Sequence, residues 1–322
     1  MAKSHRPIIV IPGDDPAQLS GSRHLSRLEQ RGDVVLYEDR PTSDEEKVRR
    51  AANADILINS RGSVKWTAQL LEQLPKLRFL TVCGVGTDSV DLEAARQQGI
   101  VVSNIPGKTA PVVAEHALGI MMAAAKRAAY QTAELRAGRW TQIHCVYLRG
   151  RTLGVIGTGT IGGHMIRLAR AIGMDVVAWT FHPSPEREKE LGVRFVGLDD
   201  LLHLSDVVSL HVKYTPESQH LLGKRELALM KPGSLLVNTA RAGVVDTDAL
   251  VDALKSGHLG GAAVDVFDPE PPGPEHPLLD CEQVVLTPHS ADQTPEGYDF
   301  LNAGVVDNVI AYLEGKPQNV VN

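Results

Sequence analysis

Cysteine is scarce in this 322-residue chain: Cys83, Cys145 and Cys281 are its only three, and none stands in a CxxC or metal-ligand spacing. That excludes a disulfide framework and a cysteine-based zinc site, so no metal is expected. Basic runs are also missing. The net charge of -6 is spread along the chain, which recommends neither a nucleic-acid nor an anionic-membrane partner. Long hydrophobic runs are absent too. The longest, around Ala117 to Ala125, ends at Lys126 and is too short to span a bilayer, and Ile8 to Ile11 is too brief for a signal-peptide core. A cytoplasmic protein is expected. No internal repeat or low-complexity tract occurs, apart from a Pro-rich turn from Pro269 to Pro277.

What is present is enough apolar material, 43% of residues, to fill two cores. Short β-branched runs at Ile8–Ile11, Val34–Leu36, Ile56–Ile58, Phe79–Val82 and Ile100–Val102 alternate with helix-like stretches, the pattern of a parallel α/β unit. A segment rich in Ala, Met and Leu, Pro111 to about Arg136, reads as one linking helix. Six further strand candidates follow, at Leu153–Ile156, Val176–Trp179, Val207–Leu210, Leu235–Val237, Ala262–Val264 and Val284–Leu286. They suffice for a dinucleotide-binding sheet. Tyr298 to Leu313 reads as a helix that crosses back to the first domain. The expected fold is α/β with two Rossmann-like domains: a doubly wound parallel-sheet cofactor domain, 104–292, inserted in a smaller flavodoxin-like substrate domain, 1–103 plus 293–322.

Between the first two strands of the second set stands Gly157-Thr158-Gly159-Thr160-Ile161-Gly162. The first glycine permits the turn, the second lets backbone approach a pyrophosphate, and the third allows close helix-strand packing; the helix N-terminus offers free amides. The acid that should grip the ribose, about 20 residues on, is missing. Thr180 stands there and cannot repel a 2′-phosphate, while His182 and Arg187 nearby are cations or solvated loop residues. NAD is the expected cofactor, with NADP possible.

Three groups each follow an apolar strand-like run: Arg241, Glu270 and His289. Arg241 carries a planar, permanently charged fork suited to a carboxylate and to polarising an adjacent 2-oxo group. His289 can donate a proton to a carbonyl oxygen as hydride reaches carbon, and recover it in reverse. Glu270 would bond the far ring nitrogen, fix the tautomer and favour the imidazolium.

The chain resembles the D-isomer-specific 2-hydroxyacid dehydrogenases over nearly its whole length. The resemblance is carried by Gly84-Val85-Gly86-Thr87-Asp88-Ser89-Val90-Asp91, Ala114-Glu115-His116-Ala117-Leu118, the Gly157 loop, Asn238-Thr239-Ala240-Arg241-Ala242-Gly243, Asp265-Val266-Phe267-Asp268-Pro269-Glu270-Pro271 and Thr287-Pro288-His289. It implies reversible reduction of a small 2-oxo acid to a D-2-hydroxy acid, in the cleft between two domains of a homodimer formed largely through the cofactor domain. It also implies cofactor contacts from Val85, Gly157, Gly159, Thr160, Ile161, Gly162, Thr180, Val212, Thr239, Ala240, Asp265, Ser290 and Ala291. Substrate contacts are implied for Arg241 and for Arg61, Gly62 and Ser63, the last two through backbone amides. Trp140 falls in a segment that is either a packed dimer arm or one that reaches a partner. Two departures stand near the expected cofactor: Lys213-Tyr214 replaces a Pro-containing stretch, and Ser290-Ala291-Asp292 replaces a glycine-containing one. Glu270 argues against a formate dehydrogenase, which by resemblance carries Gln there. The alternatives are a nucleotide-sensing module like the C-terminal-binding-protein corepressors, and 3-phosphoglycerate dehydrogenase as the specific activity. Val82 and Cys83, where a phosphorylated substrate would want arginines, lean toward an unphosphorylated acid.

Overall fold

The structure, a computed structural model, describes residues 6–322. Two compact units divide the chain: one runs up to Thr109 and resumes over Gln293–Asn322, and the other is Ala110–Asp292. In the first, β1 (Ile8–Ile11), α1 (Leu25–Glu29), β2 (Asp33–Leu36), α2 (Asp44–Ala51), β3 (Ile56–Ser60), α3 (Ala68–Leu71), β4 (Phe79–Cys83), α4 (Leu92–Gln97) and β5 (Val101–Ser103) alternate. The strands pair in parallel in the order β2-β1-β3-β4-β5, a flavodoxin-like arrangement. β3 and β4 are buried along their whole length, the polar Asn59, Ser60 and Thr81 included, and their other residues are apolar. Edge strand β2 alternates exposed and half-buried positions.

The boundary between units falls after Thr109 rather than at 104. Hydrogen bonds hold the intervening residues to the first unit: Ile105 N–H donates to Gly84 O at 2.8 Å, and the buried Asn308 amide donates to Asn104 O at 2.8 Å.

The second unit opens with α5 (Ala110–Ala125) and α6 (Ala128–Arg136). A single linking helix was the expectation. Arg127 adopts φ 49°, in the left-handed region, and breaks the helix there. Then follow β6 (Thr152–Ile156), α7 (Thr160–Ala171), β7 (Asp175–Trp179), α8 (Pro185–Leu191), β8 (Arg194–Phe195), α9 (Leu198–Leu204), β9 (Val207–Leu210), α10 (Lys224–Leu229), β10 (Leu235–Asn238), α11 (Thr247–Lys255), β11 (Gly261–Val264) and β12 (Val284–Leu286). The parallel sheet has the order β12-β11-β10-β9-β6-β7-β8, so the chain reverses direction across the sheet between β6 and β9. It holds seven strands, not six. The additional β8 is a two-residue edge strand, Arg194–Phe195, too short and too charged to stand out as an apolar run. One face of the sheet packs through Leu153, Val155, Val237 and Ala263 on α5 and α7; the other packs through Ile156, Val208, Leu236 and Ala262 on α9 to α11.

The chain then returns as α12 (Pro295–Leu313), which packs on β4 through buried Leu301, Val305, Val306 and Val309. It starts three residues before Tyr298 because Thr294 caps it, accepting from Gly297 N–H at 3.0 Å, and Pro295 occupies the first turn. The last residues cover the outer edge of β5 through an antiparallel bridge from Ser103 to Val320 and a bond from Val321 N–H to Val102 O, so this edge is not left to pair with another chain.

Candidate active site

In the second unit the functional residues gather at the carboxyl ends of the parallel strands, where ligands of open α/β sheets bind. Asn238, Val264 and Leu286, the last residues of β10, β11 and β12, are register partners. The residues that follow them therefore emerge side by side, which brings the turn carrying Arg241, then Asp265, then Thr287 onto one edge.

Gly157 follows β6 with φ 95°, and a Cβ there would lie 2.7 Å from the backbone of His211 and 2.8 Å from Val212 N. Only glycine fits on both counts. Gly162 meets a closer limit still, since its Cβ would sit 2.0 Å from Gly157 O. Gly159 differs: it is exposed, and nothing lies within 4 Å of its Cβ position. Its place at the start of α7, whose first turn carries no side-chain cap, fits a pyrophosphate approaching exposed helix-terminal amides. Thr160 and Ile161 open the same turn. Arg187 braces the loop from α8, donating to Thr158 O through Nε at 3.1 Å and Nη2 at 2.5 Å while pairing with Glu190. Thr180 follows β7 directly and is half-buried. Lys213 is exposed. His211 follows β9, and burial holds its imidazole down to about 4.

Arg241, Glu270 and His289 come together. His289 Nδ1 and Glu270 Oε2 are 2.6 Å apart, and Glu270 Oε1 accepts the Phe267 N–H at 2.9 Å. Desolvation pushes the Glu270 carboxyl up, but the His289 bond and charge, the Phe267 amide and the charge of Arg241 outweigh it and hold Glu270 below the ordinary carboxylate value. Arg241 is oriented by its own turn: Asn238 accepts Ala240 N–H at 3.0 Å and donates to Arg241 O at 3.0 Å. Thr239 sits in that turn with a buried hydroxyl that has no partner among the described residues, and Ala240 is buried.

His289 stands at φ 49°, a conformation that costs roughly 1–3 kcal/mol for a non-glycine residue. Asp265 holds it there. The Asp265 carbonyl accepts His289 N–H at 2.8 Å, and its carboxylate accepts Ser290 N–H at 2.9 Å, Ala291 N–H at 3.1 Å and the Thr287 hydroxyl at 2.5 Å. Burial raises this carboxyl, but the His116, Thr287 and Ser290 contacts prevail and lower it. Asp265 was expected to contact cofactor. It has no exposed surface in this structure, and its oxygens turn to the 287–291 loop. That anchoring role had no signal in the sequence beyond an aspartate placed directly after an apolar run.

Four expected residues lie in the first unit: Val85, Arg61, Gly62 and Ser63. Val85 O accepts the Asn104 amide at 2.6 Å. The Arg61–Ser63 loop turns on two consecutive left-handed residues, Arg61 at φ 50° and Gly62 at φ 65°. Its amides are not presented as anticipated: Gly62 N–H donates to Asn59 O at 3.3 Å and Ser63 N–H to Ser60 O at 2.9 Å. A tight turn satisfies its own donors in this way. The Arg61 guanidinium is instead the notable feature, donating to Gln18 Oε1 at 3.2 Å. Gln18, 2% exposed, is itself fixed by bonds to and from Asn302.

A doubly wound parallel sheet with this glycine turn, and a cation, carboxylate and imidazole on the same edge, defines a dinucleotide-dependent oxidoreductase. The comparisons name the family. Residues 118–291 match the D-isomer specific 2-hydroxyacid dehydrogenase, NAD binding domain. The chain is 39% identical over 310 residues to the glyoxylate reductase of Korarchaeum cryptofilum, covering 93% of this chain and 92% of that protein. It is 38% identical to the D-3-phosphoglycerate dehydrogenase of Archaeoglobus fulgidus, of which it spans 54%. Among solved structures, the TT0316 protein of Thermus thermophilus superposes with a TM-score of 0.87 at 36% identity, over 98% of this chain and 99% of that one. The chain belongs to the D-isomer-specific 2-hydroxyacid dehydrogenase family and is an NAD(P)-dependent enzyme acting on 2-hydroxy acids.

Proposed function

We propose that the enzyme reduces a small unphosphorylated 2-oxo acid, with glyoxylate and hydroxypyruvate as the leading substrates. The observation that carries this reading is the 2.6 Å contact between His289 and Glu270 within the field of Arg241. Arg241 grips the substrate carboxylate and draws charge from the 2-oxo group. Glu270 accepts from Nδ1, so Nε2 of the protonated ring is left to donate to the carbonyl oxygen. Bound NAD(P)H supplies the hydride. Gly157, Gly159 and Gly162 would hold its pyrophosphate with Thr160 and Ile161, and Thr180 would bond the ribose. NADH is the preferred donor: Thr180 tolerates a 2′-phosphate, but the nearby Arg187 is already committed to Thr158 O and Glu190.

The likeness to a glyoxylate reductase over 93% of this chain supports the choice of substrate, as does the presence of Val82 and Cys83, and not arginines, buried at the end of β4. The Arg61 side chain, rather than the amides of Gly62 and Ser63, is the proposed substrate contact of its loop. Trp140 and Tyr147, 80% and 66% exposed on the second unit, support a homodimer covering them, and the proposed location is the cytoplasm. A panel of glyoxylate, hydroxypyruvate, pyruvate, phenylpyruvate and 3-phosphohydroxypyruvate with NADH and NADPH tests the reading. Highest kcat/KM for glyoxylate or hydroxypyruvate with NADH supports it. Background oxidation throughout would replace it with a nucleotide-sensing role, and preference for the phosphorylated acid would overturn the substrate.

A further inference from the structure

One polar side chain of α5 reaches the end of the sheet that carries the acid/base. His116 lies on the helix face of Val113, Ala117 and Ile120, a stripe that is otherwise apolar and packs on β11 and β12. Its Nε2 is 3.2 Å from Thr287 Oγ1 and 3.4 Å from Asp265 Oδ1. Thr287 gives its hydroxyl proton to Asp265 at 2.5 Å, so its oxygen is left to accept, and Nε2–H of His116 is the donor that faces it. The bonds therefore run in one direction, from His116 to Thr287 to Asp265, and Asp265 in turn receives Ser290 N–H and Ala291 N–H on either side of its carboxylate.

We infer that His116 is a positioning residue for His289, acting through Thr287 and Asp265 and not by touching substrate or cofactor. The inference rests on the proposed acid/base role of His289. His289 sits in a left-handed conformation that its own chain disfavours, and the loop keeps it only while Asp265 holds the amides of Ser290 and Ala291 in place. An Asp265 carboxylate without its far-side donors is free to swing within its site, and the loop it anchors moves with it. A reacting ring displaced by about 1 Å loses on the order of a hundredfold in rate. A histidine that merely satisfied itself in the core would leave the loop indifferent to its replacement.

The test compares the parent with His116→Phe, which keeps a ring and removes the donor, with His116→Gln, whose amide nitrogen reproduces Nε2, and with Thr287→Val, which cuts the chain of bonds at its middle. Turnover of glyoxylate and hydroxypyruvate is measured beside the imidazole NMR signal of His289, assigned by its loss in His289→Asn. The expected result is a fall in kcat of at least about tenfold in H116F and T287V with KM changed by less than about threefold. The His289 signal shifts or broadens in the same two variants, and H116Q returns both readings toward the parent. Unchanged kcat and an unmoved His289 signal in H116F and T287V overturn the inference, as does equal damage in H116F and H116Q. Should one variant fail to fold by thermal melt, the other carries the comparison. If the parent itself lacks turnover, the proposed function fails, and the His289 signal alone still decides whether His116 positions that ring.

Discussion

Replacing Gly159 by Ala separates the cofactor loop's two jobs, folding and binding. Gly159 has φ -64°, and its Cβ position has no neighbour within 4 Å. The folded protein therefore has no steric reason to resist a methyl there, and the loss of unfolded-chain freedom adds about 0.4–1 kcal/mol of stability. Binding should suffer. A methyl on the open side of the turn keeps a pyrophosphate from the amides at the start of α7, and losing one charge-assisted hydrogen bond costs about 1.5–3 kcal/mol, or roughly 10- to 100-fold in NADH affinity. Gly162→Ala is the opposite case. Its Cβ would lie 2.0 Å from Gly157 O, a backbone atom that cannot turn aside, so α7 must shift off β6 at about 1–3 kcal/mol of stability. Urea melts and NADH fluorescence titrations read both variants. A G159A variant that binds NADH like the parent, or that unfolds as early as G162A, would show that Gly159 does not serve cofactor binding alone.

Other consequences follow from the carboxylates. In Glu270→Gln the carboxylate that faces His289 Nδ1 at 2.6 Å is replaced by a neutral amide, so kcat for reduction should fall by at least about tenfold; a kcat that matches the parent removes Glu270 from the proton path. Asp265→Asn turns a donor toward amides that need an acceptor, at about 1–3 kcal/mol for a buried group left unsatisfied, read as an earlier urea midpoint at pH 7. Because the folded Asp265 carboxyl lies below its ordinary value of 3.8, its contribution is present above that pH and is lost as pH falls through the lowered value. The parent's stability should therefore drop there more steeply than that of the Asn variant.

The central parallel strands were readable because burial on both faces gives them short apolar stretches, Ile56–Ile58 in β3 and Phe79–Leu80 in β4. β8 escaped because Arg194–Phe195 is an edge pair with no run to detect. The break at Arg127 escaped because it rests on a backbone angle that an arginine rarely takes. At the site, Arg241, Glu270 and His289 were legible from residue type and strand-end position. The contacts of Asp265 and His116 were not, since a carboxylate that accepts from two backbone amides and a threonine leaves no spacing pattern in the chain. Gly62 and Ser63 illustrate the same limit: a sequence names the turn, but the direction of its amides is set by whether Asn59 and Ser60 carbonyls claim them.

Whether His289 moves the proton is read from His289→Gln. With NADH and glyoxylate or hydroxypyruvate, the variant should lose about 100- to 10,000-fold in kcat, the usual range for a general acid/base, while NADH affinity by fluorescence stays within about threefold, since the cofactor loop is built from other residues. Retention of parent-like turnover, or a loss wholly explained by failure to bind NADH, would contradict the account.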